Sequence, residues 1–113
     1  MSSLNSQLSA LNSTDRLCVH TITTKPWPIE TAAARFAAAG VKGITVWRDA
    51  MDGRDPAKVS AMLRDEGLSV VSLCRGGFFP AQTAAGQAKA FDDNRLAIAE
   101  ARALGAPHVV LVC

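Results

Sequence analysis

From Arg16 onward, short apolar runs alternate with polar, glycine-containing breaks and with stretches of helical period. The first run, 17-LCVHT-21, predicts a strand. Beyond Pro28, the residues Ile29, Ala33, Phe36 and Ala37 fall on one helix face, with Pro28 suited to the first turn and Gly40 to the exit. The run 43-GITVW-47 predicts a second strand. Asp55 as N-cap and Pro56 at the first helical position then open a helix whose Val59, Met62 and Leu63 face inward, and Gly67 closes it. A third strand is predicted over 68-LSVVSL-73. A long helix from about Thr83 to Leu104 places Phe91, Asn94, Ile98 and Ala101 on one side, Gly105 ends it, and 108-HVVLVC-113 predicts a fourth strand.

The predicted order is βαβαβαβ. Each crossover is long enough to return the next strand parallel to the last. The strands are rich in Val, Ile and Leu without strict alternation, which implies burial on both faces, as in a parallel sheet flanked by helices. The fourth strand reads as central, yet it closes the sequence at Cys113. The expectation is that a longer barrel continues it or that another copy of the chain covers it.

Composition narrows this picture only a little. Hydrophobic residues make up 49% of 113 residues, enough for one small domain over 16–113, preceded by a polar, flexible tail over 1–15 in which Leu4, Leu8 and Leu11 share a face. The net charge of +2 comes from lysines and arginines scattered along the chain, so no nucleic-acid footprint is expected. Cys18, Cys74 and Cys113 are odd in number and lack metal-ligand spacing, which suits a reduced cytoplasm. No segment is apolar for long enough to span a bilayer, and no membrane partner is expected.

Chemistry is concentrated after the strands. Arg75-Gly76-Gly77 follows the third strand at the carboxyl end, where parallel α/β folds bind ligands. Glycines there allow backbone amides to approach an anion, and a guanidinium clamps carboxylate, phosphate or sugar hydroxyls; the competing reading is a turn with Arg75 paired to an aspartate. Trp47 and Arg48 end the second strand in the same sense. An indole there walls a pocket or stacks on a sugar ring, against the plainer reading of packing and a salt bridge from Arg48 to Asp49 or Asp52. His20 reads as a hydrogen-bonded core histidine, His108 as structural at the opposite end of the sheet, and Asp92-Asp93 as solvated. No GxGxxG, P-loop or GxSxG occurs, and no catalytic or metal-ligating set is assigned.

The segments 19-VHTITTKPWPIETAAARFAAAGVKGITVWRD-49, 69-SVVSLCRGGFFP-80 and 93-DNRLAIAEARALGAPHVVLVC-113 together resemble the amino-terminal part of the sugar phosphate isomerase/epimerase superfamily, the xylose isomerase-like TIM barrels. The resemblance implies an α/β fold in which about four strands and three helices belong to a parallel (β/α)8 barrel of roughly 250 residues. It further implies a parent reaction of metal-assisted proton transfer on a keto sugar or polyol, with a divalent cation (Mn, Mg or Zn) in the complete barrel. The family's metal ligands and catalytic glutamates lie on later strands and match nothing in this chain. What carries over is a substrate rim of Trp47, Arg48, Arg75, Gly76 and Gly77, with a sugar or sugar phosphate as partner. Two other readings stay open: a non-catalytic half-barrel that self-associates through its strand edges, and a small flavodoxin-like ligand-binding domain with strand order 2-1-3-4.

Overall fold

The computed structural model describes residues 16–112; the tail expected over 1–15 and the final Cys113 lie outside the described residues. In chain order the elements are β1 (Cys18–His20), a 3-10 turn (Thr21–Thr24), α1 (Ile29–Ala38), β2 (Gly43–Trp47), α2 (Arg48–Met51), α3 (Pro56–Asp65), β3 (Ser69–Gly77), α4 (Ala84–Leu104) and β4 (Val109–Val112). All neighbouring strands are parallel and their order is β1-β2-β3-β4. That order is the one a barrel requires, and it excludes the 2-1-3-4 arrangement of a flavodoxin-like domain.

The helices start and stop where backbone chemistry directs. The Asp55 carboxylate accepts the Ala57 N–H at 3.0 Å to cap α3, and the Thr83 hydroxyl accepts the Gly86 N–H at 3.0 Å to cap α4. Gly105, at φ 78°, takes the left-handed position that closes α4. Pro28 lies one residue ahead of α1, at its N-cap.

Alternation along the strands divides the sheet into two unlike faces. Ile44, Val46 and Leu73 point toward the helices, where they pack with Ile29, Ala33 and Phe36 of α1, Val59 and Leu63 of α3, and Ala101 and Leu104 of α4. The other face has Cys18, Thr45 and Ser72 joined side chain to side chain, at 3.2 Å from Sγ to Thr45 Oγ1 and 2.8 Å from there to Ser72 Oγ.

Two expectations need correction. The inward side of α4 is Asn94, Ala97, Ala101 and Leu104, whereas Phe91 and Ile98 are 51% and 61% exposed. The stripe runs through alanines, which let the helix lie close to the sheet, and Phe91 instead meets Phe79 at 5.6 Å between ring centroids. The third strand also runs further than Leu73. Gly76 and Gly77 pair with Leu111 and Val112 of β4, and the register shift between Cys74 and Gly76 leaves Arg75 outside the ladder. The Cys74–Arg75 peptide bond is cis. Among the described residues, no helix is long and apolar enough to cross a membrane.

Candidate functional site

At the carboxyl ends of β2 and β3 lies a cavity of about 300 Å3. Its walls include Trp47, Arg48, Cys74, Arg75 and Phe78, with Ile22, Lys25, Asp49 and Asp93 around them. A larger hollow of about 390 Å3 sits between Ser60, Arg64, Leu68, Ser69, Val70, Leu104 and Gly105. It lies at the amino end of β3 and gathers no set of reactive groups, so position and chemistry favour the first.

Trp47 is held from two directions. Its backbone N–H donates to Thr21 Oγ1 at 2.9 Å, and its indole Nε1–H donates to His20 Nδ1 at 3.0 Å. His20 is thus hydrogen-bonded, as the sequence led us to expect, but half-buried and outside the core cluster. Both bonds fix the indole as a rigid wall.

Arg48 opens α2, and its charge is already answered. Nε donates to Glu100 at 2.6 Å and Nη1 to Asp93 at 3.1 Å, so its partners come from α4 and are neither Asp49 nor Asp52. Burial opposes the charge on Arg48, but the hydrogen bonds to Asp93 and Glu100 and their negative charges outweigh it and raise its pKa. Adjacent residues on a helix do not face each other, which is why Asp49 is not its partner. Asp93 lines the cavity in an ion pair while staying half exposed, in keeping with the solvated residue the sequence suggested; Asp92 pairs with Arg95 at 3.1 Å on the exposed side.

Arg75 differs. Among the described residues it forms no ion pair, and its guanidinium lies 4.7 Å from the centroid of Phe78 and 5.8 Å from that of Trp47. Aromatic faces hold a cation without consuming its N–H donors. Arg75 lines the cavity, and its donors are not taken up by any carboxylate among the described residues. Behind it, burial pushes the Cys74 thiol up while the Arg75 charge pulls the other way, so Cys74 is a packed thiol and not an activated one.

Gly76 and Gly77 are not among the residues that line the cavity. The Gly77 N–H donates to Asn94 Oδ1 at 2.6 Å and its carbonyl accepts from Asn94 Nδ2 at 2.8 Å. A Cβ on Gly76 would stand 2.8 Å from that same Oδ1, and one on Gly77 would overlap the backbone of Val112. These glycines let β3, β4 and α4 come together, and the Gly77 N–H is taken up by Asn94. His108, as expected, lies at the other end of the sheet, where its carbonyl accepts the Leu73 N–H at 2.9 Å.

The sequence reading gave no site role to Phe78, Asp93 or Asn94. Phe78 had a visible signal, an aromatic residue directly after a glycine pair at a strand end. The roles of Asp93 and Asn94 depend on α4 lying across the ends of β2 and β3, which no local pattern encodes.

No protein-family model and no curated protein matches the chain. Solved structures do. Protein SMc04130 from Sinorhizobium meliloti 1021 aligns with 88% of this chain at 36% identity and a TM-score of 0.74. A xylose isomerase-like TIM barrel/4-hydroxyphenylpyruvate dioxygenase fusion protein aligns with 83% at 18% identity and the same TM-score of 0.74. The chain spans 37% of the first protein's length and 15% of the second's. With four parallel strands in consecutive order and its helices packed on one face, the chain has the α/β fold of part of a xylose isomerase-like TIM barrel.

Proposed function

We propose that residues 16–112 form part of the substrate rim of a sugar isomerase- or epimerase-type barrel and bind a small polyhydroxylated anion, such as a sugar phosphate. The observation that carries this reading is Arg75, a guanidinium without a carboxylate partner among the described residues, displayed over two aromatic rings at the mouth of a cavity of about 300 Å3. A cavity of that volume suits a ligand of sugar size. Arg75 contacts the anionic group in a charge-assisted, bidentate manner, and Trp47 packs against the C–H face of the ring or chain. Arg48 has two donors committed to Asp93 and Glu100, so it offers the ligand Nη2 and otherwise braces the wall.

The reaction proposed for the whole barrel is proton transfer next to the carbonyl of a keto sugar or polyol. A divalent cation would supply Lewis acidity to such a reaction. The residues described here do not fit one: no group of three or more His, Cys, Asp or Glu side chains is placed to hold it. This chain's part is therefore to bind and orient, with no proton assigned to any of its side chains.

Titration of the 113-residue chain with fructose 6-phosphate, fructose and inorganic phosphate, followed by amide chemical shifts, tests the reading. The expected order is fructose 6-phosphate tightest and fructose weakest. Arg75→Ala should weaken fructose 6-phosphate binding tenfold or more, on the order of one charge-assisted hydrogen-bond pair. Equal affinity of the variant, or no response to any of the three ligands, would count against it.

A further inference from the structure

Phe78 occupies the left-handed backbone region at φ 56°. A bulky side chain is rare there, because its Cβ crowds the backbone, and glycine or asparagine is the usual occupant. The chain leading into it is held firmly. The Phe78 N–H donates to the Val112 carbonyl at 2.9 Å, and the preceding Gly77 is bonded in both directions by Asn94. The backbone is therefore tied down on the amino side of the strained residue and at its own N–H.

Burial does not offset the strain. Phe78 is 47% exposed and lies outside the cluster of core residues. Its ring faces the cavity and holds the Arg75 guanidinium at 4.7 Å. A phenylalanine in a costly conformation that contributes little to the core has its use in what its ring touches.

We propose that Phe78 is a ligand-contacting residue, whose ring and the neighbouring Arg75 form one amphiphilic clamp for a polyhydroxylated anion: the guanidinium takes the charge and the ring takes the adjoining C–H face. The inference rests on the ligand class proposed above and adds the residue that distinguishes an organic anion from a bare one. Binding an anion beside the ring leaves the cation–π contact in place, since guanidinium uses its face for the ring and its edge for hydrogen bonds. Phosphate esters and sugar carboxylates share this chemistry.

The test uses Phe78→Gly and Phe78→Ala in the 113-residue chain, each titrated with fructose 6-phosphate, gluconate and inorganic phosphate and each unfolded in urea. Alanine keeps a Cβ in the left-handed region and glycine does not, so their difference isolates the backbone. Expected are a higher urea midpoint for Phe78→Gly than for Phe78→Ala, and a midpoint for Phe78→Ala close to that of the parent chain. Both variants should lose about tenfold in affinity for the organic anion, a hydrophobic and cation–π contact of ordinary size, and less than about threefold for inorganic phosphate. Whether fructose 6-phosphate or gluconate binds more tightly assigns the charge as phosphate or carboxylate. A steep loss of midpoint in Phe78→Ala would make the ring structural and overturn the proposal while leaving the ligand class intact. So would unchanged affinity of both variants for the organic anions. If the parent chain binds none of the three, the ligand class itself fails and the clamp fails with it.

Discussion

Asn94 is 7% exposed and makes three hydrogen bonds, accepting the Gly77 N–H and donating to the carbonyls of Gly77 and Ala90, the last at 2.7 Å. Asn94→Asp keeps the shape but turns the two donations into carboxylate–carbonyl contacts. The expected loss is about 2 to 4 kcal/mol in urea unfolding, the scale of buried polar groups left without partners. Because Asn94 fixes Gly77, the same variant should weaken ligand binding at Arg75 in the fraction that stays folded. Cys74 offers a second test at this scale. Its folded thiol pKa is raised by burial, with Arg75 opposing. The associated stability is fully present below the unfolded thiol's pKa and is lost as pH rises through the folded pKa. Cys74→Ala should therefore flatten the alkaline decline of stability, and Arg75→Ala should slow alkylation of Cys74 further at a given pH. The sequence placed Arg75 and Trp47 at strand ends that point the same way, and there both line the cavity. It did not reveal the partners of the glycine pair. A glycine marks a place where something comes close, and only the packing tells whether that is a ligand or, as here, Asn94 and Val112.

Between elements, Arg48 ties α2 to α4. The pair with Glu100 is the more enclosed, with side chains 19% and 21% exposed, whereas Asp93 is 50% exposed. Double-mutant cycles should give a coupling of about 1 kcal/mol for Arg48–Glu100 and roughly half that for Arg48–Asp93, with the second screened more strongly by salt. Arg48→Lys should recover only part of the first, because one ammonium cannot serve two carboxylates with the fixed geometry of a guanidinium. Equal couplings would mean that the enclosure around Glu100 has no energetic consequence. Most of the elements could be read from the sequence: Asp55, Thr83 and Gly105 mark helix ends through backbone hydrogen bonding that acts locally, and the strand starts lie within a residue or so of their expected places. The face of α4 was harder to read. Pattern reading gives weight to Phe91 and Ile98, but the sheet approaches along Ala97 and Ala101, where small side chains permit contact.

At the scale of the molecule, the helices among the described residues cover one face of the sheet. Helices bury Ile44, Val46 and Leu73, while the opposite face carries the Cys18–Thr45–Ser72 chain and leaves Val71 and Val110 42% and 39% exposed. Among the described residues β1 and β4 have one neighbour each, and Leu111 on β4 is 56% exposed. In a closed barrel, inner-face side chains pack in layers against the strands opposite, and no strand is left at an edge. The 113-residue chain prepared alone has neither arrangement within its described residues. Apolar side chains beside an unpaired parallel edge are what drives one sheet to add to another. The chain alone should therefore associate at micromolar concentration in sedimentation velocity, and more strongly as salt increases, since burial of apolar surface dominates. Val110→Lys should shift it toward monomer, because a lysine on an edge strand must stay in water. Neither Val71 nor Val110 belongs to the core cluster, so the substitution should leave the urea midpoint of the monomer nearly unchanged. A monodisperse parent chain at those concentrations would show that the inner face is adequately covered within one chain, and would remove the physical ground for self-association.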